Sequence, residues 1–180
     1  GKYRIDSARL KHWDYSSDGA YFITICTKDR EHFFRGIIDG NIKNSEIGNS
    51  AYECWKEIPK HFPFVILDEF IVMPNHIHGI LFIQKPIPAA PVWIPAPVET
   101  QDFASLPHRA IQMPEWNPNK FGPQSKNLAS IIRGYKTGVT KFANNHQIDF
   151  AWQPRFHDRM IRNEPELDRI RKYIFDNPIN

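Results

Sequence analysis

The sequence is poor in several things, and each absence narrows the field. Cys26 and Cys54 are the only cysteines in 180 residues. Two thiols in apolar surroundings, at no paired zinc-ligand spacing, exclude a disulfide framework and a cysteine-based structural metal site. No apolar run approaches the roughly twenty residues that a membrane span needs, and the first residues show no basic-then-apolar leader pattern. A cytoplasmic protein without a membrane partner is the expectation. The Gly-x-x-x-x-Gly-Lys loop that cradles nucleotide phosphates is missing, so no nucleotide cofactor is expected. Charge of one sign is also scarce: 23 lysines and arginines against 20 acids leave a formal net charge of +3. That balance leans towards a polyanionic partner without requiring one.

Prolines are plentiful but unevenly placed. Pro86, Pro88, Pro91, Pro95 and Pro97 begin a stretch from Gln84 to about Ser125 with no sustained hydrophobic period, and prolines of this density suit neither a helix interior nor a central strand. The stretch reads as a long surface excursion, residues 84–125, within a single domain spanning 1–180.

Around it the periodicities are clear. Tyr21–Thr27 alternates and is β-branched and aromatic, the pattern of a strand. Phe34–Asn44, with Asp39-Gly40 between apolar residues, suggests a hairpin. Asn49–Lys60 reads as a helix capped by Ser50, with Ala51, Cys54, Trp55 and Ile58 on one face. Phe64–Val72 is a strand interrupted by Asp68 and Glu69; Met73-Pro74-Asn75 makes a corner, and His76–Ile83 returns as a second strand. Asn127–His146 recovers helical spacing through Leu128, Ile131, Ile132, Tyr135, Val139 and Phe142. Its opposite face carries Lys126, Arg133, Lys136 and Lys141. Ala151–His157 reads as a strand or an extended piece. Asn163-Glu-Pro-Glu starts a last helix that should run to Asp176 and stop before Pro178. This order predicts an α+β fold, an antiparallel sheet with helices packed against it.

The sharpest local feature is Pro74-Asn-His-Ile-His-Gly79. Residues two apart on a strand share a face, so His76 and His78 project together while Ile77 points the other way. Two parallel imidazoles are half of a metal site. Taken alone, the pair also suits two surface or hydrogen-bonded histidines. Gly79 would leave room for something to approach the sheet. On the last helix Tyr173 and Asn177 are four apart and share a face, with Ile170 and Ile174 on the other side. Tyr173 could be an ordinary amphipathic residue, and Tyr135, beside Lys136, is a rival nucleophile on the apolar face of its helix.

Three separated stretches resemble one family. Phe70–Ile80 is similar to the His-hydrophobic-His strand of the single-tyrosine transposases. Trp152-Gln-Pro-Arg-Phe-His-Asp158, Ile161-Arg-Asn163 and Tyr173-Ile-Phe-Asp-Asn-Pro178 resemble the C-terminal signature of the REP-associated branch. Tyr21-Phe-Ile-Thr and Ile132-Arg-Gly-Tyr-Lys-Thr match its general layout. The resemblance implies a ferredoxin-like antiparallel sheet with flanking helices and a metal-dependent enzyme that nicks and joins single-stranded DNA. It implies His76, His78 and Asn177 as ligands of Mg²⁺ or Mn²⁺ and Tyr173 as nucleophile, forming a 5′-phosphotyrosine. The implied substrate is single-stranded DNA bearing a hairpin, bound as a monomer or a homodimer. Arg133, Lys136, Lys141, Arg155, Arg159 and Arg162 are the candidate phosphate contacts, with Trp152, Phe156 and His157 as possible base-stacking groups. Two other readings remain open: a non-catalytic hairpin-binding protein derived from a transposase, and a small-phosphoester hydrolase for which Tyr173 is incidental.

Overall fold

The computed structural model describes residues 14–15, 17–38, 41–85 and 126–177. The proline-rich excursion therefore lies, apart from Gln84 and Lys85, outside the described residues, as does Pro178.

A four-stranded antiparallel sheet forms the centre. Its strands are β1 (Gly19–Cys26), β4 (Val65–Val72), β5 (His76–Ile83) and β6 (His157–Ile161), in the spatial order β4-β5-β1-β6. β2 (Arg35–Ile38) and β3 (Asn41–Asn44) pair separately as the expected antiparallel ribbon, whose Asp39-Gly40 turn lies outside the described residues. Among the described residues the α-helices are α1 (Glu46–Lys56), α2 (Ile58–His61), α3 (Leu128–Asn145) and α4 (Glu164–Asp176), with a short 3-10 turn at Lys28–Arg30. The result is the anticipated α+β architecture of a ferredoxin-like sheet with flanking helices.

The sheet is covered on both faces, which explains why β5 after His76 is buried along its whole length and shows no alternation. On one face Tyr21, Ile23, Ile25, Ile77 and Leu81 pack with Ala51 and Trp55 of α1 and with Ile131, Ile132, Tyr135 and Val139 of α3. On the other, Ala20, Ile80, Phe82 and Ile161 meet Leu167, Ile170 and Ile174 of α4. The side-chain period of two thus assigns Ile77 to the α1/α3 side and both histidines to the α4 side.

Some local expectations need correcting. The first helix begins at Glu46, and its cap is Ser45, whose hydroxyl accepts from the Gly48 amide at 3.0 Å and donates to the Phe33 carbonyl at 2.5 Å. Ser50 lies inside the helix. Gly48 permits this earlier start, because a Cβ there would lie 2.0 Å from the Phe34 carbonyl oxygen. In Ala151–His157 only Trp152 makes a bridge, to Thr27, and the strand proper starts at His157. Arg155, at φ 69°, breaks the extended run in the left-handed region. That first helix also ends at Lys56, with α2 following Glu57, and β1 starts at Gly19, two residues before the expected Tyr21; Asn127 caps α3 in a reciprocal capping box with Ser130, and Asn163 caps α4 as expected.

Asp68-Glu69 does not end its strand. The pairing steps from Leu67↔Leu81 to Phe70↔Gly79, so β4 holds one extra residue there, a β-bulge.

Candidate active site

β1 and β5 place the site by register. Thr24 lies opposite His78, and Cys26 opposite His76. Nε2 of His76 and Nε2 of His78 are 3.1 Å apart. The outer nitrogen of each ring is occupied: His76 Nδ1–H donates to Asn75 Oδ1 at 2.7 Å, and His78 Nδ1 bonds the Thr24 hydroxyl at 2.9 Å. An amide oxygen only accepts, so this bond fixes the His76 tautomer with a lone pair on Nε2. A hydroxyl both donates and accepts, so Thr24 serves either tautomer of His78. Asn75 is itself held, its amide donating to the Arg30 carbonyl at 3.1 Å while its own carbonyl accepts from the backbone and hydroxyl of Thr27.

Both imidazoles are kept neutral. Burial, followed by the neighbouring His76, lowers the His78 pKa to about 4; burial, followed by the charge of Arg30, lowers that of His76. Neutral rings are the ligand form of histidine, and two nitrogens at about 2.1 Å from one ion stand roughly 3 Å apart at near-right-angle geometry. The observed 3.1 Å separation fits a shared ion. Among the described residues no cluster of three or more His, Cys, Asp or Glu side chains forms, so a third ligand drawn from them is of another type.

α4 supplies that possibility and the hydroxyl. Tyr173 is 51% exposed, yet its hydroxyl lies 3.3 Å from His78 Nε2. Phe22 supports both, stacked on His78 at 5.3 Å between centroids and edge-on to Tyr173 at 6.2 Å. Asn177 follows one turn later, half-buried, and its amide nitrogen has no hydrogen-bond partner among the described residues. Its amide oxygen is a donor of the kind that hard divalent ions accept, whereas the unpartnered nitrogen has no part in binding a cation.

The rival tyrosine is placed differently. Tyr135 is buried between α3 and α1, donates to the Ala51 carbonyl at 3.2 Å, and burial pushes its pKa well up. Gly79 does leave room for a close approach to the sheet, and the group that approaches is an indole. Its open side faces α1, where an added Cβ would lie 2.4 Å from the Trp55 ring. The space belongs to that indole, which stacks on Phe70 at 4.7 Å and 6°.

The six candidate phosphate contacts do not form one cluster around the histidines. α3 packs on the opposite face of the sheet, so the exposed Arg133 and Lys141 are separated from the pair by the sheet itself. Lys136 is half-buried and committed: its ammonium donates to the carbonyls of Gln153 (2.8 Å) and Arg155 (3.0 Å) and lies over the Trp152 ring. Arg155 is exposed on that loop. Arg159 shares the histidine face, opposite Phe22, and pairs with the buried Glu166 of α4, which also accepts from the Arg162 amide. Trp152 and Phe156 pack on the core, leaving His157 as the exposed ring of the three, opposite Thr24. Thr24 and Phe22 escape a sequence reading because strand register brings them to the site, whereas Asn75 supports His76 as its neighbour in the chain.

No protein-family model matches the chain. An uncharacterized protein of Haemophilus influenzae is 38% identical over 174 residues, 96% of this chain and 87% of that one. A second H. influenzae protein, named "Putative REP-associated tyrosine transposase", is 22% identical over 92% of this chain and 73% of its own length. Among solved structures, a REP-associated tyrosine transposase bound to a REP hairpin superimposes with a TM-score of 0.56 at 16% identity, over 97% of this chain and 73% of that one; this likeness concerns the fold. The chain is thus similar over nearly its whole length to a protein named as a REP-associated tyrosine transposase, and it shares the fold of a solved member of that family.

Proposed function

We propose that the chain is a divalent-metal-dependent nicking and joining enzyme for single-stranded DNA that carries a hairpin, with Tyr173 as its nucleophile. The observation that carries this reading is the Tyr173 hydroxyl 3.3 Å from a pair of neutral histidines whose Nε2 atoms are 3.1 Å apart.

His76, His78 and Asn177 are the residues that would hold an ion. When bound, Mg²⁺ or Mn²⁺ supplies Lewis-acid polarisation of the scissile phosphate and charge stabilisation of the departing oxygen. Imidazole donors favour Mn²⁺ over Mg²⁺. Thr24 and Asn75 orient the two rings from behind. Phe22 holds the Tyr173 ring edge-on, limiting where its oxygen can reach. Tyr173 loses its phenolic proton to solvent and its oxygen attacks phosphorus. The new Tyr Oη–P bond replaces the P–O3′ bond, and the 3′ oxygen leaves with a proton as a free hydroxyl. The phosphodiester energy is retained in the 5′-phosphotyrosine, so a second 3′-hydroxyl can reverse the attack and join strands.

The family relative solved with a REP hairpin suggests the substrate class. Arg133, Lys141, Arg155 and Arg162 have exposed side chains that can meet phosphates; Arg159 is exposed too but pairs with Glu166, and Lys136 is engaged internally.

The test is a denaturing gel of labelled single-stranded hairpin DNA with Mn²⁺, run beside Tyr173→Phe. A protease-sensitive adduct absent from the variant supports the proposal. Free cut products that survive the substitution would indicate a hydrolase, and tight binding without cutting a recognition protein.

A further inference from the structure

The two halves of the site sit on separate elements: the histidines on β5 and the tyrosine on α4. Tyr173 lies on the flank of the helix, beside the buried stripe of Leu167, Ile170 and Ile174. A tyrosine hydroxyl stands far from its helix axis, so a small roll of α4 displaces it by ångströms. Apolar packing alone tolerates such a roll poorly but does not define it, because it is not directional.

A directional contact exists on the other flank. The Asp68 carboxylate takes the Arg171 guanidinium in a two-point grip, Nε to Oδ1 at 3.0 Å and Nη2 to Oδ2 at 2.5 Å. The same Oδ1 accepts the Glu69 backbone amide at 2.7 Å, so the carboxylate is locked to the bulge itself. Its side chain is only 13% exposed. Bidentate arginine–carboxylate pairing fixes orientation as well as distance. The bulge also sets the histidine half: after it, Ile71 comes into register with His78 and packs under α4. One residue pair thus touches both halves of the site without reaching it.

We propose that Asp68 is a positioning residue for Tyr173, acting through Arg171 from the β4 bulge; the catalytic consequence rests on the nuclease reading above. The pair sets the roll of α4 and so the approach of the tyrosine hydroxyl to His78. Arg159–Glu166, near the start of the helix, anchors its N-terminal end to β6. Arg171 is two residues from Tyr173 and controls the end that reacts.

The experiment is a double-mutant cycle in the full chain with Asp68→Ala, Arg171→Ala and both together. Adduct formation at saturating labelled hairpin DNA in Mn²⁺ should slow roughly tenfold to a hundredfold in each single variant and no further in the double. The Kd for the same DNA should change less than twofold. Losses that multiply in the double, rates that stay at the wild-type value, or losses wholly explained by Kd would overturn the proposal. A second readout is independent of turnover: the nuclear Overhauser contact between the Tyr173 and His78 rings, whose centroids are 5.3 Å apart. It should weaken in Asp68→Ala while contacts of Ile174 with the sheet persist. An unchanged ring contact would sink the positioning role. Wild-type protein that forms no adduct would sink the nuclease reading instead, and the ring contact would still decide the role of Asp68. If Asp68→Ala does not fold, Asp68→Asn, of equal size but uncharged, gives the same comparison.

Discussion

The hydroxyl of Tyr173 meets Nε2 of His78 at 3.3 Å although the two residues are 95 positions apart in the chain. Their meeting depends on two unlike packing events. A two-residue period turns His78 to one face of the sheet, and the apolar stripe of α4 lays the helix on that face. Neither element would form a site alone.

Gly79 tests the sheet face that has no catalytic group. Gly79→Ala drives a methyl into the Trp55 ring, and overpacking of this kind costs about 1–3 kcal/mol. Urea unfolding should show a lower midpoint with an unchanged slope. Combining the substitution with Trp55→Phe should recover part of the loss; no recovery would place the clash elsewhere.

Acid should weaken the metal-free protein through His78. Its folded pKa, about 4, lies below the ordinary value of 6.5, so on acidification the unfolded chain takes up the proton first. The stability held by the neutral, buried ring is complete above about pH 6.5 and drains away as pH falls towards 4. His76 is shifted in the same direction and adds to it. Denaturant midpoints measured with a chelator between pH 4 and 7 should slope less steeply in His78→Gln. Parallel slopes would mean that other groups carry the effect.

Lys136 should behave as a structural residue. Removing its ammonium leaves the Gln153 and Arg155 carbonyls without their charged donor, at a cost of about 1–3 kcal/mol. Lys136→Met should therefore lower the melting temperature while leaving the salt dependence of DNA binding nearly unaltered. Arg155→Ala should do the reverse, reducing the salt slope by about one phosphate contact. The opposite pattern would return Lys136 to the list of phosphate contacts.

Much of this was legible in the sequence, for identifiable reasons. Strong periodicity located β1, β5, α3 and α4, and Asn163 marked the start of the last helix in residue types alone. His76 and His78 stand on one face for a reason that needs no fold, and the Tyr173–Asn177 spacing needs only a helix. What the chain order could not display is register and layering. Thr24 reaches His78 because β1 pairs with β5 in one register, and Arg133, Lys136 and Lys141 fall away from the site because α3 lies across the sheet from α4. Gly79 was a real signal of close approach, but the sequence could not say which face was approached. Ser45 and Ser50 both stand before helical spacing, and the buried Ile47 is what carries the helix back to Ser45.

Metal binding should register in the fold itself. Mn²⁺ that binds the native site and not the unfolded chain raises the melting temperature by mass action, and a chelator should reverse the gain. His76→Ala and His78→Ala should each abolish it, and Asn177→Ala should reduce it. An equal rise in all variants would mean binding elsewhere.

The central claim is that Tyr173 becomes covalently joined to DNA. The direct measurement is peptide mapping by mass spectrometry after incubation with single-stranded hairpin DNA and Mn²⁺, followed by nuclease trimming. The account predicts one modified peptide, containing Tyr173 linked through oxygen to a 5′-phosphate, and none in Tyr173→Phe. A modified peptide carrying Tyr135 or another residue, or cleaved DNA with no modified peptide, would contradict it.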